Sequence, residues 1–254
     1  MRSEMSEFSY GFAIAAELRD SFWPWEVEAP LFPTLRAETQ LGWDIRFPTI
    51  GSPLFIQFKV AEALTRASAA EWSYYNFPYY RFPLHRVSKS DQHNRLRNLS
   101  QSEPFVFYVA PRFHRLEEFN ERYLNTTVIT ESAWISLSGL PAITDDQQHH
   151  IAYRTGFDVL FASPEPEPMH KTFDGESWKN YLVHELETRK PEITIETIGQ
   201  LRTALLDTLK QMRVQHIPEL PISVQEGFQV FKDITYLSRT FFGAEFLFIH
   251  QQRG

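Results

Sequence analysis

Two short stretches alternate apolar and polar residues with the two-residue period of a half-buried strand: Trp43-Asp44-Ile45-Arg46-Phe47 and Phe55-Ile56-Gln57-Phe58-Lys59. Pro48, Gly51 and Pro53 lie between them, so the pattern predicts a hairpin. On one face stand Trp43, Ile45 and Phe47 with Leu54, Ile56 and Phe58; on the other stand Asp44 and Arg46 with Gln57 and Lys59. A register slip of one residue would turn the apolar set to water, which makes this alternation a strong constraint on the fold. Cross-strand pairing is expected to bring Asp44 beside Gln57 and Lys59.

The rest of the chain frames that hairpin. Its 254 residues suffice for one large domain or two small ones. With 43% apolar and 22% charged residues it reads as an ordinary globular chain. No cysteine is present, so disulfides and thiolate metal sites are excluded. A net charge of -7 argues against a protein that coats nucleic acid non-specifically, although a local basic patch remains compatible with it. Met1 to Phe8 has no apolar run of signal-peptide length, and Phe241 to Ile249 is too short to span a bilayer. The expectation is a cytoplasmic protein with no membrane partner.

Periodicity predicts helices over 9–22, 62–72, 91–100 and 116–124, with Ser90 as an N-cap. Strands are expected over 79–87, 105–110 and 127–137, and edge strands over 151–153 and 157–161. The run Ser163-Pro164-Glu165-Pro166-Glu167-Pro168 reads as an extended linker. Beyond it, helices are expected over 178–188, 196–212 and 224–240, with a last strand over 244–249. The organisation expected is an α/β domain over residues 1–162 and a mainly helical C-terminal region over 163–254, which packs on the sheet or binds a partner.

Hydrolysis of a phosphodiester needs a hard cation on oxygen ligands, an activated water and positive charge near the phosphate. Asp44 offers a carboxylate, Gln57 a side-chain carbonyl and Lys59 the positive charge, with Glu38 or Glu17 as the second acid. Asp44 followed by Gln57-Phe58-Lys59, with a helix upstream and a helix and further strands downstream, resembles the PD-(D/E)XK restriction-endonuclease-like superfamily in its Gln-x-Lys variant, as in Mrr-type and other defence nucleases. The resemblance covers roughly residues 9–140. It implies a mixed sheet flanked by helices, Mg²⁺ or Mn²⁺ held by Glu38, Asp44 and Gln57, and Lys59 as a catalytic residue. It also implies a nucleic-acid substrate, with DNA the first expectation, a prokaryotic antiviral or restriction setting, and a protein partner or homo-oligomer. Gln57 stands where many members carry an acid, and Trp43 where a proline often precedes the Asp. The alternative reading is therefore an inactive nuclease-like subunit that acts as a scaffold.

Other features have plainer readings. His93 opens a predicted helix and reads as a solvated N-terminal residue, with phosphate contact as the alternative. His149-His150 reads as a polar loop entering a strand, since adjacent strand residues point to opposite faces. The aromatic run Tyr74–Phe82 reads as core or interface packing ahead of a base-stacking surface. Arg95, Arg97, Arg112, His114 and Arg115 supply local basic character for nucleic-acid contact or a solvated helix face. Neither a glycine-rich phosphate loop nor a Gly-x-Ser-x-Gly elbow occurs.

Overall fold

Apolar residues spaced for one helical face begin the fold. In α1 (Glu7–Ser21), Tyr10, Ala13, Ile14 and Leu18 are all buried, which seats the helix against a sheet. The structure is a computed structural model that describes residues 1–21, 25–28, 49–155, 158–162, 166–217, 220 and 227–251. Glu38, Asp44 and the expected strand Trp43–Phe47 lie outside the described residues.

The elements that follow are β1 (Trp25–Glu28), β2 (Thr49–Phe58), β3 (Glu62–Leu64), α2 (Trp72–Tyr75), β4 (Tyr79–Pro83), α3 (Gln92–Leu99), β5 (Val106–Pro111), α4 (Leu116–Leu124), β6 (Ser132–Ser136), β7 (His150–Tyr153), β8 (Val159–Ala162) and β9 (Glu167–Pro168). After them come β10 (Thr172–Asp174), α5 (Gly175–Arg189), β11 (Glu192–Ile193), α6 (Ile195–Gln211), α7 (Gly227–Leu237), a π turn over Ser238–Phe242 and β12 (Glu245–Gln251). The described residues form an α/β structure with two sheets. One runs β1-β12-β2-β5-β6-β10, with β11 also on β2; the other runs β3-β4-β7-β8-β9. The first is mixed, because β2 and β5 are parallel and its other pairs are antiparallel. No helix among the described residues is long and apolar enough to cross a membrane.

Alternation sorts the side chains of β2 between two cores. Leu54 and Ile56 join Tyr10, Ile14, Leu18, Trp178 and Leu182 beneath α1 and α5, where Trp134 and Trp178 stack 3.5 Å apart. Phe55 joins the opposite core, which gathers α3, α6, α7 and side chains of β4, β7 and β8 from the second sheet. The two-faced reading of Leu54–Lys59 therefore describes β2 correctly.

The pairing partner does not follow from it. Gly51 to Ile56 pair with β12, Phe55 to Phe58 with β5, and Thr49 and Ile50 with β11, so both edges of β2 are occupied where the expected hairpin would pair. β12 fits between β1 and β2 because it is apolar on both faces: Phe246 and Phe248 enter one core, Leu247 and Ile249 the other. Burying such a side chain contributes roughly 1.5–3 kcal/mol.

Three further expectations are corrected. Residues 62–72 are not a helix: β3 pairs with β4, and Glu62 accepts from Arg81 Nη2 at 2.7 Å across that pair. β7 and β8 are interior strands of the second sheet rather than edges. The C-terminal region is more than a helical layer packed on the sheet, since β10, β11 and β12 complete the first sheet while α6 and α7 cover it. Within the expected linker, Glu167 and Pro168 pair with β8.

Candidate functional site

The C-terminal end of β2 carries two polar side chains into an apolar core. Gln57 lies opposite Tyr108 in the parallel β2–β5 ladder, and the Lys59 N–H extends that ladder by donating to the Val109 carbonyl at 2.9 Å. Two residues apart, Gln57 and Lys59 share the face that α3 covers, with relative exposures of only 5% and 7%. The Lys59 ammonium stands 5.9 Å from the centroid of the Tyr108 ring, a cation–π arrangement. Burial lowers the Lys59 pKa, and the field of Glu7 partly offsets this. No hydrogen bond or ion pair to its ammonium occurs among the described residues. Gln57 Oε1 is likewise buried without a hydrogen-bond partner among them. An orphaned buried carbonyl costs about 1–3 kcal/mol, so Gln57 Oε1 stands out among the described residues of this face.

The C-terminal segment forms one wall. Gly243 follows the π turn at φ +61°, and a Cβ there would lie 1.6 Å from Gln92 Nε2 and 3.5 Å from Gln57 Nε2. Glycine thus serves twice, in a left-handed backbone and in leaving room for two neighbouring amides. Arg95 Nη1 donates to the Phe241 carbonyl at 2.9 Å and ties this turn to α3.

His93 is buried, which corrects the expectation of a solvated helix residue. Its Nε2 lies 2.9 Å from the Pro141 carbonyl and its Nδ1 3.0 Å from the Tyr108 hydroxyl. A carbonyl only accepts, so Nε2 carries the proton and Nδ1 accepts from Tyr108. Burial depresses the His93 pKa to about 4, which keeps the ring neutral. With both nitrogens engaged, His93 orients the Tyr108 ring beneath Lys59.

Glu17 does not reach this face. It lies on α1, beneath the opposite side of the sheet, and its Oε2 accepts from the Val128 and Ile129 N–H groups at 2.8 and 3.2 Å. Glu38 and Asp44 lie outside the described residues, so of the expected set the structure brings only Gln57 and Lys59 to this face. Among the described residues, no group of three or more His, Asp or Glu side chains is placed to hold a metal ion.

The expected basic residues are engaged by other groups of the fold. Arg97 donates to the Leu140 carbonyl and Arg112 to the Thr130 carbonyl, each at 2.8 Å. Arg115 pairs with Glu117, His114 with Glu118, and Arg81 with Glu62 and Glu71. In the aromatic run, Tyr75, Tyr79 and Phe82 are core residues while Tyr74 and Phe77 are exposed. His149 hydrogen-bonds Asp145 at 2.8 Å and stacks on Phe161 at the entry to β7, as a polar loop entering a strand should. No family model, curated protein or solved structure matches the chain.

Sequence reasoning missed Tyr108 and Gly243. The first had a signal, a hydroxyl in the otherwise apolar run Phe105–Ala110. The second is the one glycine between the last helix and the last strand, where a left-handed residue commonly ends a helix.

Proposed function

We propose that the Gln57/Lys59 face belongs to a metal-dependent nuclease of the restriction-endonuclease-like type, with DNA as first substrate and prokaryotic defence as its setting. The observation that carries this reading is that Gln57 Oε1, a carbonyl oxygen suited to a hard cation, is buried without a partner among the described residues, on the same face of β2 as the buried Lys59, whose ammonium suits phosphate. The β2–α3–β5 unit, with its parallel strands and intervening helix, agrees with the order of parts that the resemblance implies. Gln57 Oε1 fits one oxygen ligand of Mg²⁺ or Mn²⁺, and Glu38 and Asp44 would supply the carboxylates. The ion, when bound, polarises the phosphate and activates water. Lys59 contributes fixed positive charge to the phosphate in a site of low dielectric, where such charge acts strongly. Tyr108, held by His93, forms the floor under the ammonium.

Plasmid cleavage with Mg²⁺ or Mn²⁺ tests the proposal on wild type, Asp44→Ala and Lys59→Ala. Cleavage by wild type that both substitutions remove is the expected result; equal rates in all three would overturn it. A second reading, an inactive scaffold with the same architecture, is favoured by the near-complete burial of Gln57 and Lys59. It requires that no metal-dependent cleavage be found and that Lys59→Ala leave activity of the assembled complex unchanged.

A further inference from the structure

The Gln57/Lys59 face is closed, with both side chains almost fully buried and Gly243 set against the Gln57 amide. A phosphodiester reaches Lys59 only if a wall moves. We infer that the π turn Ser238–Phe242 is a strap over this face, which opens about Gly243 to admit a phosphate group. The need for opening rests on the nuclease reading; the opening itself can be measured without DNA or metal. Tyr108 is no such wall, because β5 is paired on both edges and His93 engages the Tyr108 hydroxyl. The strap has fewer ties. The Ser238 carbonyl accepts from the Gly243 N–H and, at 3.1 Å, from the Ala244 N–H, and Arg95 Nη1 donates to the Phe241 carbonyl at 2.9 Å. Arg239 pairs with Glu245 at 2.7 Å, but both side chains are exposed, where such a pair contributes little.

Opposing forces act on the closed turn. Phe242 is fully buried, and moving it to water is unfavourable. Against that stand buried polar atoms with no hydrogen-bond partner among the described residues: Ser238 Oγ, Thr235 Oγ1, Gln57 Oε1 and Arg95 Nε. The first two lie in the turn and in the helical turn before it, the third beside Gly243, and the last on the side chain that clamps Phe241. A buried polar atom without a partner has lost its hydration, so each favours a form in which water returns. Gly243 supplies the hinge, since at φ +61° it occupies a region that glycine enters and leaves without steric penalty. A turn held by few bonds and burdened by unpaired groups is the kind of low-stability element from which lids are drawn. Single π turns recur at functional sites for a related reason.

Hydrogen exchange on the full chain, followed by NMR, and acetylation of Lys59 by acetic anhydride, followed by mass spectrometry, test the inference together. In wild type the Gly243 and Ala244 amides should exchange roughly tenfold or more faster than the Phe107 and Tyr108 amides, whose ladder opens only when the sheet unfolds. Ser238→Ala removes an unpaired hydroxyl from the closed turn and should slow Gly243 exchange and Lys59 acetylation alike, each about tenfold. Thr235→Val, close in shape, should slow both in the same way. Exchange at Gly243 as slow as at Phe107, acetylation of Lys59 that does not follow Gly243 exchange across the three proteins, or faster exchange in both variants would each overturn the inference. Wild type and Thr235→Val decide if Ser238→Ala does not fold. Neither readout needs DNA or metal, so a failed cleavage assay would overturn the nuclease reading and leave the opening standing.

Discussion

The two ends of β2 treat polar groups in opposite ways. At the C-terminal end, Gln57 and Lys59 are buried beside Tyr108 and the turn at Gly243, and among the described residues Gln57 Oε1 has no hydrogen-bond partner and the Lys59 ammonium no ion pair. At the N-terminal end, Gly51 to Pro53 border an open cleft where Glu103 keeps partial contact with water. A closed site with an unpartnered carbonyl holds its groups ready at a cost in stability, as a catalytic centre does; an open one leaves its groups partly to water. The apolar residues Leu54 to Ile56 separate the two ends.

The largest test of this contrast is Lys59→Ala, which should lower metal-dependent cleavage at least 100-fold, about 2.7 kcal/mol of transition-state stabilisation. Plasmid cleavage rates of the two proteins measure it.

Next in size are two pH trends of opposite sign, measured as urea unfolding free energies from pH 4 to 8. His93, whose pKa falls to about 4 by burial, supports the fold fully above its unfolded value near 6.5 and loses that support as pH falls toward 4. Glu103, whose pKa rises to about 7 by burial, supports the fold fully below its unfolded value near 4.5 and loses that support as pH rises through 7. His93→Gln should therefore weaken the acid limb, to which His150 and Glu118, whose pKa values are also lowered, still contribute. Glu103→Gln should stabilise the protein by roughly 2 kcal/mol at pH 8 and by little at pH 4. Equal slopes in wild type and either variant would break the comparison at that end.

Gly243→Ala is expected to cost about 1–2 kcal/mol, from the left-handed backbone and the displaced Gln92 side chain. It should also reduce cleavage, because the Gln57 amide lies beside the same position. The smallest effect belongs to Glu192→Gln at the exposed rim of the cleft, within about 0.5 kcal/mol of wild type in urea unfolding.

How much of this was legible depends on the range of the signal. Alternation along Leu54–Lys59 correctly assigns side chains to faces, because a strand's two-residue period is local geometry. Helical spacing likewise identifies α1, α4, α5 and α6 to within a few residues. Glu62–Leu64 misled because its residues suit a helix, yet pairing with β4 and the Arg81 contact decide for strand. The basic residues misled for a related reason: Arg95, Arg97 and Arg112 reach backbone carbonyls distant in sequence, which no local pattern records.

The sequence by itself determined that Gln57 and Lys59 share a face of one strand and that no thiolate chemistry is open to this chain. Only the tertiary structure decided which strand flanks β2, that Tyr108 lies under Lys59, and that an uncompensated carboxyl lines a cleft at the far end. Local periodicity dictates where a side chain points. Its neighbours and its solvation depend on contacts between residues as far apart as Gly51 and His250, and these form only when the whole core packs.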